Sequence, residues 1–581
     1  MSGTTKLALW PYLEAIENFC RPLDREGLLK IILSLAGNVA SGERAAFLAG
    51  LSGKIPARQT KEAGGVKAML KRIDELQRDI VSRAEAIEEG SPWDEGDEYD
   101  AYGHGYDYYD DEGPPILSEE IKAEFRACLG EAGLLFLDGR TPDARDVYAR
   151  LLAAVKTAEE YDGGWIDIEA DLREGRARYC RCVYELAADS VRVAEMLAAM
   201  EVKAAGRLFE DGNPRDYPML QDVIDAQTGE MQDFSAFLPA WEKALAARDF
   251  RKNRLAGLHL EAAFMLNGVE AVAALAGKWK AKQPMGYLAW CARLKAASAW
   301  PALAVAAREA LAQLPAGHDH TAAANFLIEA GLNLNEPGTT LEGKRERFAS
   351  TPGGVSLLSL VAEAGRQGVR TRELAFALKV LETRKKGPFT DKMLHAQTLL
   401  MAGCLEDALS LAAKEKALDW SYGSSASVVF AAILRLVAGG KESALIKGLF
   451  DDYGSLCSVP FDADVCGCKD EEAASMQEEI MQGLALAPPK AADLTRYHAW
   501  ARKIGETRVN QIVSNKHRGA YDRAASVLGA LAEALAATGE KAAAGNLLQD
   551  YYQNRYNRYA AFRKELKKAV NQSPALKWVR L

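Results

Sequence analysis

Positive charge is in short supply. The 581 residues carry 72 Lys and Arg against 81 Asp and Glu, a formal net charge of −9. That balance excludes a whole-surface attraction to nucleic acid or anionic membrane and leaves room only for local basic patches. Cysteine is also scarce: nine residues, an odd number scattered over the whole length. They cannot form the disulfide framework of a small secreted domain, and a reducing cytoplasm is the expected setting. No apolar run approaches the ~20 residues of a membrane-spanning helix. The longest, from Ala426 to Leu436, is interrupted by Arg435 and reads as a buried helix. The first residues, with Glu14 and Glu17 following soon after Pro11, contain no signal-type apolar segment, so no secretion is expected. Runs of β-branched residues with period-two alternation are nearly missing, which argues against a sheet. HExxH, GxxxxGK[S/T], GxSxG and GxGxxG after a strand are all absent, and with them the common hydrolase and nucleotide-binding signatures.

What is present is helix. Stretches rich in Ala and Leu recur with helical spacing from end to end, broken by Gly, Pro or Asx clusters, and predict an all-α protein. Residues 1–89 read as a small N-terminal helical domain: Tyr12 to Phe19, Asp24 to Leu35, Glu43 to Leu51 and a long charged helix from Lys61 to Glu89. Between Glu85 and Glu112 stand 12 Asp or Glu, no Lys or Arg, and repeated Tyr and Gly. Such a composition cannot bury enough apolar surface to offset chain entropy, so residues 90–115 are expected to be an acidic disordered linker.

From 116 to 581 the pattern becomes repetitive, as in an α-solenoid. Gly133-Leu-Leu-Phe-Leu-Asp-Gly139 followed by Ala144-Arg-Asp-Val-Tyr148 reads as a helical hairpin in which small residues permit close approach and Gly139 turns the chain. His395 to Gly403 with Glu406 to Ala412, and Leu531 to Gly539 with Ala542 to Leu548, echo it at irregular spacing. These hairpins resemble tetratricopeptide repeats in their small, large, Gly, small, aromatic order. Two stretches also resemble the helical region that accompanies SWIM-type zinc fingers in bacterial proteins. One is the acidic Tyr/Asp tract with Phe136 to Gly139, Ala144 to Tyr148 and Ala177-Arg-Tyr-Cys-Arg-Cys-Val-Tyr184; the other runs from Arg508 to Tyr521 and through Leu566. The finger itself needs Cys-x-Cys followed by Cys-x-His. No cysteine follows Cys466-Gly-Cys468, so the resemblance implies the helical architecture and not the zinc site.

Candidate chemistry is sparse. Cys457, Cys466 and Cys468 in a loop-like stretch, with His498 as a conceivable fourth ligand, lack the paired Cys-x-x-Cys knuckles of a zinc site, and inert thiols are the expectation. Cys180 and Cys182 are expected to be packing residues. His318-Asp-His320 follows Pro315-Ala-Gly and reads as a solvated turn between helices. No metal or cofactor is expected.

The best interaction candidate is the C-terminal stretch. From Tyr551 to Leu581 eight Lys or Arg stand against Glu565 alone, with Tyr551, Tyr552, Tyr556, Tyr559 and Phe562 interleaved. Arg555, Arg558, Arg563, Lys564, Lys567 and Lys568, with Tyr556 and Tyr559, are candidates for holding phosphates and stacking bases, or for docking an acidic partner. The alternative has the aromatics packing inward beneath a solvated cationic face, and a further one has the acidic tract screening the basic terminus. Solenoid faces commonly bind peptides, helices or proteins. The expectation is therefore a non-catalytic cytoplasmic interaction scaffold with unknown protein partners. The second reading is a nucleic-acid-binding accessory protein, and an enzyme without a recognisable motif is the third.

Overall fold

A computed structural model describes residues 9–24, 27–32, 64–88, 116–161, 168, 172–201, 217–226, 230–384, 392–418, 424–439, 443–455 and 475–581. The acidic tract 90–115, the segment Glu43 to Leu51 and Cys457, Cys466 and Cys468 lie outside them. Among the described residues every regular element is helical, as the missing period-two alternation requires, and the fold is an all-α helical-repeat architecture. The chain divides into two compact units, Met1–Gly286 and Tyr287–Leu581.

Unit 1 contains α1 (Leu9–Cys20), α2 (Gly64–Glu88), α3 (Glu119–Leu137), α4 (Thr141–Tyr161), α5 (Leu172–Leu186), α6 (Asp189–Met200), α7 (Leu220–Asp225), α8 (Phe234–Ala246) and α9 (Asn253–Trp279). The long charged helix α2 was assigned on sequence to the 1–89 domain. Its apolar residues Met69, Ile73, Leu76, Ile80 and Ala84 fall at intervals of three and four, however, and enter one core with Phe125, Phe136, Tyr148 and Leu151 of α3 and α4. The ion pairs Arg72 to Glu124 and Glu131, and Arg150 to Asp74, tie its flanks to the same hairpin. A second core gathers Tyr184, Met196, Phe237 and Trp241. Among the described residues one helical stretch, Asn253–Lys282, is long and apolar enough to cross a membrane. It is kinked at Gly268 (φ 68°) and packs on α7 and α8, with His259 bonded to Glu242 at 2.9 Å.

Unit 2 shows the repeat. The helices α10 (Met285–Ala296), α12 (His318–Leu334), α14 (Gly354–Arg366) and α16 (Lys392–Met401) alternate with α11 (Trp300–Gln313), α13 (Pro337–Ser350), α15 (Arg370–Thr383) and α17 (Leu405–Ala412). Equivalent helices therefore begin 33–38 residues apart. From α11 to α17 each helix packs on its successor. Ion pairs reach two helices ahead: Lys295 to Glu329 (2.7 Å), Arg308 to Glu342 (2.8 Å) and Arg345 to Glu373 (2.9 Å).

The turn inside each pair is also repeated. Gly139, Gly368, Gly403 and Gly539 take φ of 72°, 69°, 74° and 92°, and the next residue donates its N–H to the carbonyl five positions back at 2.8–3.0 Å. This left-handed cap satisfies the last carbonyls of the first helix and aims the chain back along it. Ser298 (φ 53°) and Asn335 (φ 54°) occupy the same position between α10 and α11 and between α12 and α13. Within the pairs small residues permit close approach: a Cβ on Gly331 would lie 2.6 Å from Thr340 N.

Beyond α17 the packing centres on α18 (Ser425–Ala438), where all but Arg435 and Leu436 are buried, as its long apolar run predicted. It is enclosed by α16, α17, α19 (Ala444–Ser455), α21 (Ala491–Ser514) and α22 (Tyr521–Ala537), while α20 (Met476–Leu486) packs on α16 and α19. Burying Phe430, Ile433 and Leu434 contributes about 1.5–3 kcal/mol each. The last two α-helices, α23 (Lys541–Gln549) and α24 (Ala560–Gln572), both pack on α22.

Candidate interaction surface at the C-terminus

The eight residues proposed from sequence all fall on the connection between α23 and α24 or on α24 itself. At Asp550–Arg555 the helix widens into a π-turn, so the side chains that follow are rotated away from a regular α register. Around this turn three of the five aromatics are buried. Tyr551 and Phe562 are 0% exposed and Tyr556 is 8% exposed. The Tyr556 hydroxyl donates to Asn510 Oδ1 at 3.0 Å and lies 3.1 Å from Ser514 Oγ, both on α21. Tyr559 meets Tyr556 edge to face at 5.3 Å, and Phe562 meets Tyr556 and Tyr521 at 5.8 Å. Burial pushes the Tyr551 hydroxyl well above the ordinary phenol range. Of the two readings the sequence allows for Tyr556, contact residue or inward-packing ring, the structure has the second: its ring is buried and its hydroxyl finds a partner on α21.

The cations divide into two sets. Arg555 donates to Asp550 at 2.6 Å and rests 4.7 Å from the Tyr551 ring centre. Arg563 lies 4.2 Å over the Tyr552 ring and donates to the Asn557 carbonyl at 3.3 Å. Both are therefore engaged. Arg558, Lys564 and Lys567 are exposed and form no ion pair among the described residues, where Lys568 has only a long pair with Glu565 at 3.7 Å. α24 sets these out by its period: Phe562, Leu566, Ala569 and Val570 face the core, leaving Lys564, Lys567 and Lys568 on the opposite side. Lys577 and Arg580 are exposed just beyond it, beside Trp578, which is 41% exposed and rests against Gly545.

Unit 1 holds a separate cleft of about 510 Å³. Arg176, pinned 3.3 Å from Glu159 and 4.0 Å over the Tyr217 ring, sits in its wall with Arg145, Lys156 and Glu195. Opposite charges alternate there, so the cleft favours neither a polyanion nor a polycation. Its residues come from separate helices, and no sequence motif pointed to it.

Cys180, Cys182 and the His318-Asp-His320 segment take structural positions. Cys180 and Cys182 are buried, and burial pushes both thiols up to about 12, away from reactivity. His318-Asp-His320 is not a loop but the first turn of α12, where Asp319 complements the positive end of the helix. Its His320 is buried 3.8 Å from Glu346. His498 lies on α21, and among the described residues no group of three or more His, Cys, Asp or Glu is placed to hold a metal ion. No known family model matches the chain, and no curated protein matches it.

Proposed function

We propose that this chain is a non-catalytic, cytoplasmic interaction scaffold built on helical pairs, with the outer face of α24 and the preceding connection as a docking surface. The observation that carries this reading is the separation of roles along α24: Phe562 and the aliphatic residues pack into the core, while Lys564, Lys567 and, before the helix, Arg558 are exposed and have no ion pair among the described residues. Repeated pairs supply a long, rigid support for such a surface. The resemblance to the helical region of SWIM-type proteins enters as a proposal about ancestry, with the finger lost. A second reading, direct nucleic-acid binding, draws on the same cations.

Full-length tagged protein, purified from a bacterial cytoplasm with and without nuclease at two salt concentrations, separates the readings. A defined protein that survives nuclease and moderate salt supports the scaffold. Nucleic acid as the sole, salt-sensitive companion overturns it in favour of the second reading.

A further inference from the structure

We infer that the terminal basic surface receives an acidic, extended segment of a partner protein, an inference that rests on the scaffold reading and names the partner's chemistry. The first argument is charge and spacing. Lys564 and Lys568 stand four residues apart, about 6 Å along the axis, with Lys567 next to Lys568, and an extended chain presents every second side chain on one side at intervals of about 6.7 Å. Acidic residues at alternate positions can meet Lys564 and then the neighbouring Lys567 and Lys568, with Arg558, Lys577 and Arg580 exposed in the flanking segments.

The second argument is what the surface withholds. Binding of a single strand depends on successive exposed rings for base stacking. Here Tyr551, Tyr556 and Phe562 are buried, Tyr552 is covered by Arg563, and Tyr559 is turned edge-on to Tyr556. Trp578 stands alone, its indole N–H already donated to the Ala575 carbonyl at 3.0 Å. A carboxylate-rich peptide needs the cations and no stacked platform.

The test uses full-length protein and two labelled probes of similar length, a peptide of alternating Glu and Gly and an oligothymidylate, followed by fluorescence anisotropy at low and moderate salt. The expected result is peptide binding that weakens with salt, falls about tenfold in the Lys564→Glu/Lys567→Glu double variant, and exceeds binding of the oligonucleotide. Both substitutions lie on the exposed face of α24, so unchanged far-UV circular dichroism and melting confirm that the variant is folded. Tighter binding of the oligonucleotide through the same lysines overturns the inference, and so does indifference of the peptide to charge reversal or its failure to bind. The scaffold reading is separately decided by whether a protein partner still co-purifies with the full-length chain.

Discussion

The carboxyl of Glu533, 1% exposed, accepts from the backbone N–H groups of Leu445 (3.2 Å) and Ile446 (2.9 Å) and from Ser573 Oγ (2.6 Å). It closes the first turn of α19 and anchors the residue after α24. Glu415 does the same for α18 through Ser425 N and Ala426 N, and Glu261 for α7 through Leu220 N and Gln221 N. Three helix starts are thus capped by carboxylates from elsewhere in the chain, where local Ser or Asp caps are the usual device. Glu533→Ala leaves two N–H groups and a hydroxyl buried without an acceptor, and a loss of about 2–4 kcal/mol is expected in chemical denaturation, with Glu533→Gln losing less. His498 supplies a pH dependence. Burial lowers its pKa from the ordinary 6.5, partly opposed by Glu540. The folded state therefore binds the proton less well than the unfolded one. Its stability is intact above about pH 6.5 and declines as pH falls through the lowered value. The denaturation midpoint should drop between pH 7.5 and 5.5, and His498→Phe should flatten that drop; parallel declines would remove His498 as the cause. None of this was legible in the sequence, because Glu533 lies 88 residues from Leu445 and an acidic residue in an alanine-rich helix reads as solvated.

At the scale of elements the turn between paired helices carries the clearest expectations. Ser298 holds φ 53° where four equivalent positions have glycine. Ser298→Gly relieves the left-handed backbone and should raise stability by about 0.5–1 kcal/mol, whereas Gly539→Ala should lower it by about 1–2 kcal/mol, both read from thermal melts. Where helices touch backbone to backbone the effect is steric: a Cβ at Gly483 would sit 2.2 Å from the Met401 carbonyl oxygen, so Gly483→Ala must push α20 from α16, at about 1–3 kcal/mol or more. Helices and glycine turns could be read from sequence, since apolar spacing and a glycine after a small-residue run are local signals. The same turn at Ser298 was hidden because serine does not advertise a positive φ, and at Asn335 because asparagine signals one less sharply than glycine. The π-turn at Asp550–Arg555 was hidden too, and the sequence alone leaves open whether the tyrosines among these cations face outward or pack inward; Tyr551 and Tyr556 pack inward.

For the whole molecule, the sequence marks its sharpest change at the acidic tract, yet the contacts divide after Gly286. The reason is α2: charge dominates its composition, but five apolar residues on one stripe are enough to commit it to the core of α3 and α4. A fragment from Pro284 to Leu581 contains every helix of unit 2 and should melt cooperatively on its own by circular dichroism. A non-cooperative melt would show that unit 2 depends on the preceding residues. Within unit 2 three ion pairs skip one helix: Lys295 to Glu329 and Arg308 to Glu342 span 34 residues, and Arg345 to Glu373 spans 28. Each joins a helix to its counterpart in the next pair, so a pair can be gained or lost by duplication or recombination with the ladder re-formed across the join. A single inserted helix reverses the chain direction and sets unlike faces together. Descendants of such an array are therefore expected to differ in length by steps of about 35 residues, with the pair as the unit gained or lost.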